Sequence, residues 1–175
     1  NIGSIGLVAC NRVSELIDMR LPERVYAFLN IGSIGLVACN RVSELIDMRS
    51  IDIGRTLAVI EANRDLVRGV KCRASHMITG AWGITPVKLA KKVARIAGLP
   101  LMVHIGEPPP LVEEILEVLT PGDIITHCFH GKPGASLLED EALFRLAERM
   151  AGEGVLLDIG HGGASFSFEV ARAGI

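Results

Sequence analysis

The chain has 175 residues, a formal net charge of −2 and 49% apolar residues. That is long enough for one domain with a sizeable core and too apolar for a disordered chain. With 4% aromatics and no basic block it lacks the Lys/Arg footprint of a nucleic-acid surface, and no apolar run reaches the roughly 18–20 residues of a membrane span.

The first feature along the chain is a repeat. Residues 1–20, NIGSIGLVACNRVSELIDMR, recur unchanged as residues 30–49. Solenoid repeats diverge in sequence and need about three copies for stability, so a single identical pair does not indicate one. The second copy follows an apolar, strand-like stretch and precedes a helix-like one, whereas the first copy has no strand before it. We therefore expect residues 1–20 to form a duplicated N-terminal arm and residues 21–175 to form the domain. The apolar opening has no basic start or clear cleavage site and does not read as a leader. None of Cys10, Cys39, Cys72 and Cys128 forms a C-x-x-C pair. Ordinary reduced thiols and a cytoplasmic location are the expectation.

From residue 25 onward, strand-like and helix-like segments alternate. Residues 25–31 predict a strand and 32–51 a long loop. Residues 53–65 predict a helix with Asp52 as N-cap, and 67–74 a strand. Residues 86–97 predict a helix: Pro86 lies in its first turn, Val87, Ala90, Val93, Ala94 and Ala97 form one apolar stripe, and Gly98 closes it. Further strands are expected at 101–105, 123–128 and 155–159, with helices at 111–119 and 138–151 and another starting at 166. Near-continuous apolar strands alternating with helices predict an α/β fold with about five parallel strands, buried on both faces. A complete eight-stranded barrel needs roughly 200 residues or more, so a partial (β/α)8 barrel of the TIM type is expected. No strand is followed by G-x-G-x-x-G, and no G-x-x-x-x-G-K-[ST] occurs, which removes the common dinucleotide and nucleotide-triphosphate readings.

Polar residues recur at the strand ends. Lys71 lies in Gly-Val-Lys-Cys-Arg, His104 in Leu-Met-Val-His-Ile-Gly-Glu, His127 in Ile-Ile-Thr-His-Cys-Phe-His and His161 in Leu-Leu-Asp-Ile-Gly-His-Gly. Successive groups are about one strand–helix unit apart, and in a parallel barrel the strand C-termini converge on one mouth. A single strand-end histidine is commonly structural, but four ionisable groups at consecutive strand ends point to a site. His130 reads as a loop residue contacting substrate or supporting a ligand, and His76 as a loop residue. Strand alternation puts Lys71 and Arg73 on one face and Cys72, a packing residue, on the other. A cationic amine does not bind metal. A lysine carboxylated by CO2 is a carbamate anion and can bridge two divalent ions, while neutral imidazoles suit Zn²⁺. Two such ions, about 3.5–4 Å apart, would activate water near neutral pH and polarise a carbonyl.

Taken together, residues 70–75, 103–109, 125–131 and 158–166 resemble the amidohydrolase superfamily, and within it the deacetylase/dihydroorotase-like branch. The resemblance covers residues 22–175 and corresponds to barrel strands 3 to 7. It implies metal-dependent hydrolysis of an amide or other C–N bond, ester bonds included, in a small N-acyl or cyclic amide substrate. It implies Lys71 as the carboxylated lysine, and His104 and His127 as metal ligands, with a divalent metal of zinc type, binuclear in the family. His161, His130 and Arg73 fall where substrate contacts are expected. The sequence departs from the family in three ways: no H-x-H pair occurs, the eighth-strand aspartate has no counterpart, and neither does the family's small β-domain. The isolated chain is therefore expected to be an inactive fragment. Two alternatives remain open. One is a non-catalytic assembly module, a homo-oligomer formed through exposed sheet edges. The other is a Schiff-base barrel enzyme using Lys71 as nucleophile.

Overall fold

The computed structural model describes residues 26–34, 44–162 and 165–174. The expected arm, residues 1–20, lies outside the described residues. Five parallel strands form one sheet in chain order: β1 (Ala27–Asn30), β2 (Val67–Ala74), β3 (Leu101–Ile105), β4 (Ile124–Thr126) and β5 (Leu156–Asp158). Each parallel neighbour needs a crossover, and helices supply most of them. They are α1 (Ile53–Ala62), α2 (His76–Thr79), α3 (Thr85–Ala97), α4 (Val112–Val118), α5 (Glu141–Gly152) and α6 (Phe168–Ala173). The sequential strand order is that of a barrel wall, and the wall is not closed: β1 and β5 are its edges.

The helices form for the expected reasons. Asp52 caps α1 by accepting from the Arg55 amide. The α3 stripe of Val87, Ala90, Val93, Ala94 and Ala97 is buried, and the helix packs on β2 and β3. Fully burying a valine of this kind contributes about 1.5–3 kcal/mol. Gly98 ends α3 at φ 65°, and its amide donates to the Ala94 and Arg95 carbonyls. Helix α5 starts later than the predicted residue 138 because Asp140 caps it, accepting from the Leu143 amide at 2.8 Å. Helix α2 was not expected; four residues are too few to show a periodicity.

β2 and β3 have the predicted bounds, β1, β4 and β5 are shorter than the sequence suggests, and the sheet has two unlike faces. Val70, Cys72 and Ala74 of β2, with Leu101, Val103 and Ile105 of β3, are buried toward the helices. On the other face Met102 and His104 are only partly covered. Burial on both faces therefore does not hold throughout, and it fails most at β5, where Leu156 is 55% exposed. The loop after β1 folds back on itself: Gly32 pairs antiparallel with Ile51, and Glu44 and Leu45, from the second copy of the repeat, are buried. Among the described residues no helix is long and apolar enough to cross a membrane.

Candidate metal centre

The face away from the helices carries the ionisable groups. Parallel register aligns Arg73 with His104, His104 with Thr126, and Thr126 with Asp158, so one row crosses β2 to β5 near the strand C-termini. Lys71 lies two residues before Arg73, hence on the same face, and pairs across with Asn30 of β1. Gly69 lies one further step back. A Cβ there would sit 2.1 Å from the Phe28 ring, so the glycine leaves room for that ring on the same face.

His127 reaches the row by a different route. It follows Thr126, and regular alternation would turn it toward the helices. Instead β4 stops at Thr126 and His127 has φ 70°, the only positive φ among the described non-glycine residues. Such a backbone costs about 1–3 kcal/mol at a non-glycine residue. It re-aims the ring, which meets His104 edge to face with 5.0 Å between centroids and 88° between planes. His127 Nδ1 lies 2.6 Å from the Gly160 carbonyl oxygen. A carbonyl only accepts, so Nδ1 carries the proton and Nε2 keeps the lone pair.

Electrostatically the site favours neutral bases. Burial lowers the Lys71 pKa to about 8, against an opposing pull from Asp158. Burial, then the neighbouring His127 and Lys71, hold His104 well below the ordinary histidine value. Burial also lowers His127, although its bond to Gly160 works against this. His104 Nδ1 is buried without a hydrogen-bond partner. Such an orphaned atom is costly unless something satisfies it.

A divalent ion fits this donor set. The neutral imidazoles offer Nδ1 of His104 and Nε2 of His127. Among the described residues no three His, Cys, Asp or Glu side chains gather at one point. Lys71 can serve only as an anion, and an amine titrating near 8 has an appreciable neutral fraction at neutral pH with which to take up CO2.

The other expected residues lie as follows. The Arg73 guanidinium is paired to Glu44 at 3.2 Å. His130 is buried; its Nδ1 accepts from the Lys132 amide and its Nε2 has no partner. Its pKa is lowered to about 4, mainly by burial. His161 is exposed and packs against Phe166 with the rings tilted at 40° and 4.9 Å between centroids. His76 opens α2.

Several residues at the site were not anticipated. Buried Glu44 accepts from Asn30 Nδ2 at 3.1 Å as well as pairing with Arg73. Thr126 donates to Asp158 Oδ2 at 2.5 Å. Only the contiguity of Thr126 with His127 and the acidic end of the 156–158 strand could have hinted at the second pair.

No family model matches the chain. It is 60% identical to a deacetylase of Brucella anthropi over 175 residues, all of this chain and 36% of that protein. Among solved structures, a dihydroorotase superposes with TM-score 0.93 at 58% identity, covering 98% of this chain and 45% of that one. An adenine deaminase superposes with TM-score 0.86 at 35% identity, covering 99% of this chain and 48% of that one. The chain thus spans about a third of the length of the curated relatives it matches.

Proposed function

The chain belongs to the amidohydrolase superfamily, on its deacetylase/dihydroorotase-like branch, and from that premise we propose that it carries part of a divalent-metal site for hydrolysing amide or related C–N bonds, esters included. Lys71 as its carbamate, His104 and His127 are the ligands, and zinc is the metal the donor set suits best. When bound, the metal supplies Lewis acidity, acidifying water and polarising a carbonyl. The observation that carries the reading is the pair of imidazoles 5.0 Å apart, with His104 Nδ1 orphaned and His127 Nε2 left with its lone pair.

The chain's own residues have separable tasks. Burial of Lys71 keeps its amine partly neutral, which carbamate formation needs. Asp158 lies close enough to oppose that effect and is itself held by Thr126. Arg73 and His130 are substrate-side groups, and Glu44 sets the direction of the Arg73 guanidinium. His161, exposed beyond β5, is a substrate contact. The substrate is a small N-acyl compound or cyclic amide, the class suggested by the deacetylase and dihydroorotase names of the relatives. Hydrolysis of N-acetylated amino acids and cyclic amides, with zinc and bicarbonate or with chelator, tests this. Turnover insensitive to chelator would overturn it, and borohydride trapping of substrate on Lys71 would favour the Schiff-base alternative.

A second reading concerns the chain by itself. β5 is an edge strand with Leu156, Leu157 and Ile159 exposed, a surface suited to pairing with a second copy of the chain. The sequence has no H-x-H pair, so weak turnover by the isolated chain accompanies this reading. Light scattering decides: a concentration-independent monomer that turns over N-acyl substrates with metal removes it.

A further inference from the structure

The turn that follows β5 does more than end a strand. Gly160 has φ 51°, and a Cβ there would sit 2.3 Å from Thr126 Oγ1 and 2.7 Å from His127 Nδ1. The turn is therefore pressed against the end of β4 as closely as a backbone can be. It is tied there at two points: the Thr126 hydroxyl donates to Asp158 Oδ2, and the Cys128 amide donates to the Asp158 carbonyl at 3.3 Å. Between these ties the Gly160 carbonyl meets His127 Nδ1 at 2.6 Å.

Free imidazole side chains in water prefer the Nε2–H form, which would put a proton on the atom facing the site. We propose that Gly160 is a positioning residue: its carbonyl, anchored through Thr126 and Asp158, holds His127 in the Nδ1–H tautomer and presents Nε2 to the space beside His104. A backbone carbonyl suits this task because it cannot change protonation state, and only glycine lets it come this near. What Nε2 binds rests on the metal reading above; the tautomer does not.

The test is a two-bond proton–nitrogen correlation spectrum of histidine-labelled, metal-free 175-residue protein near neutral pH. His127 is expected to show a pyrrole-like Nδ1 and a pyridine-like Nε2. In Thr126→Val, which keeps the side-chain shape and removes the tie to Asp158, His127 should move toward the Nε2–H form, and Thr126→Ser should restore the original pattern. Gly160→Ala should shift it further if that variant folds. A wild-type His127 in the Nε2–H form overturns the proposal, and so does a Thr126→Val spectrum unchanged from wild type. Zinc added to the same sample separates the two ideas. The expected tautomer with no zinc response sinks the metal reading alone, and zinc binding by an Nε2–H His127 sinks this one alone.

Discussion

His104 and His127 meet edge to face at 5.0 Å although they come from opposite phases of the strand alternation. His104 points into the site from within β3, in register with Arg73 and Thr126. His127 gets there because β4 stops at Thr126 and the backbone turns to φ 70°.

That turn is uncommon for a residue with a Cβ, and asparagine, whose short polar side chain bonds locally, adopts it more readily than most. His127→Asn relieves about 1 kcal/mol of strain and loses about as much with the Gly160 hydrogen bond. Urea unfolding should place it within about 1 kcal/mol of wild type, while zinc affinity measured by calorimetry is lost. A variant destabilised by several kcal/mol would show that His127 is a structural residue.

Lys71 gives a pH dependence with a definite sign. Its folded pKa of about 8 lies below the unfolded value of 10.5, so between these values the unfolded chain holds the extra proton. Stability therefore rises with pH from about 8 to 10.5, and below 8 the protonated, buried amine costs about 3 kcal/mol. Without bicarbonate, Lys71→Met should be more stable than wild type near neutral pH by about that much and should lose the rise. Parallel pH–stability curves for the two proteins would contradict this.

The Glu44 carboxylate is buried between Arg73 and Asn30. Glu44→Gln keeps the shape and one acceptor but leaves the Arg73 charge poorly matched. Removing one partner of a buried pair costs about 3–5 kcal/mol. Arg73 is partly open, so a loss of about 2 kcal/mol in denaturant unfolding is expected, together with a raised KM for substrate. An unchanged KM would separate Arg73 from substrate binding.

Much of this arrangement was legible in the sequence, and the unreadable parts share physical causes. The α3 stripe and the Lys71/Arg73 alternation follow from periods of 3.6 and 2, which sequence displays directly. His127 was identified as a site residue from its place at a strand end, but the backbone turn that aims it has no sequence signature. Glu44 stayed hidden because it lies in the repeated loop segment, far along the chain from Arg73, and nothing local marks it as Arg73's partner. Asp158 read only as a strand residue, since its tie to Thr126 depends on register between β4 and β5. The partly covered face of β3 was missed because burial was inferred from apolar runs, which cannot say what covers each face.

Packing under the site gives a further prediction. Gly69→Ala puts a Cβ 2.1 Å from the Phe28 ring and should cost about 1–3 kcal/mol by overpacking. In Phe28→Leu the same substitution should cost clearly less, a coupling that a double-mutant cycle reads directly. Additive effects would mean that the two positions do not share this space.

The central claim is that Lys71, His104 and His127 together hold a metal. The most direct measurement is zinc content after equilibration and gel filtration, with and without bicarbonate, for wild type and Lys71→Ala. The expected result is zinc retained by wild type in bicarbonate, reduced without it, and absent from Lys71→Ala in both. Equal zinc in the two proteins, indifferent to bicarbonate, would contradict the account.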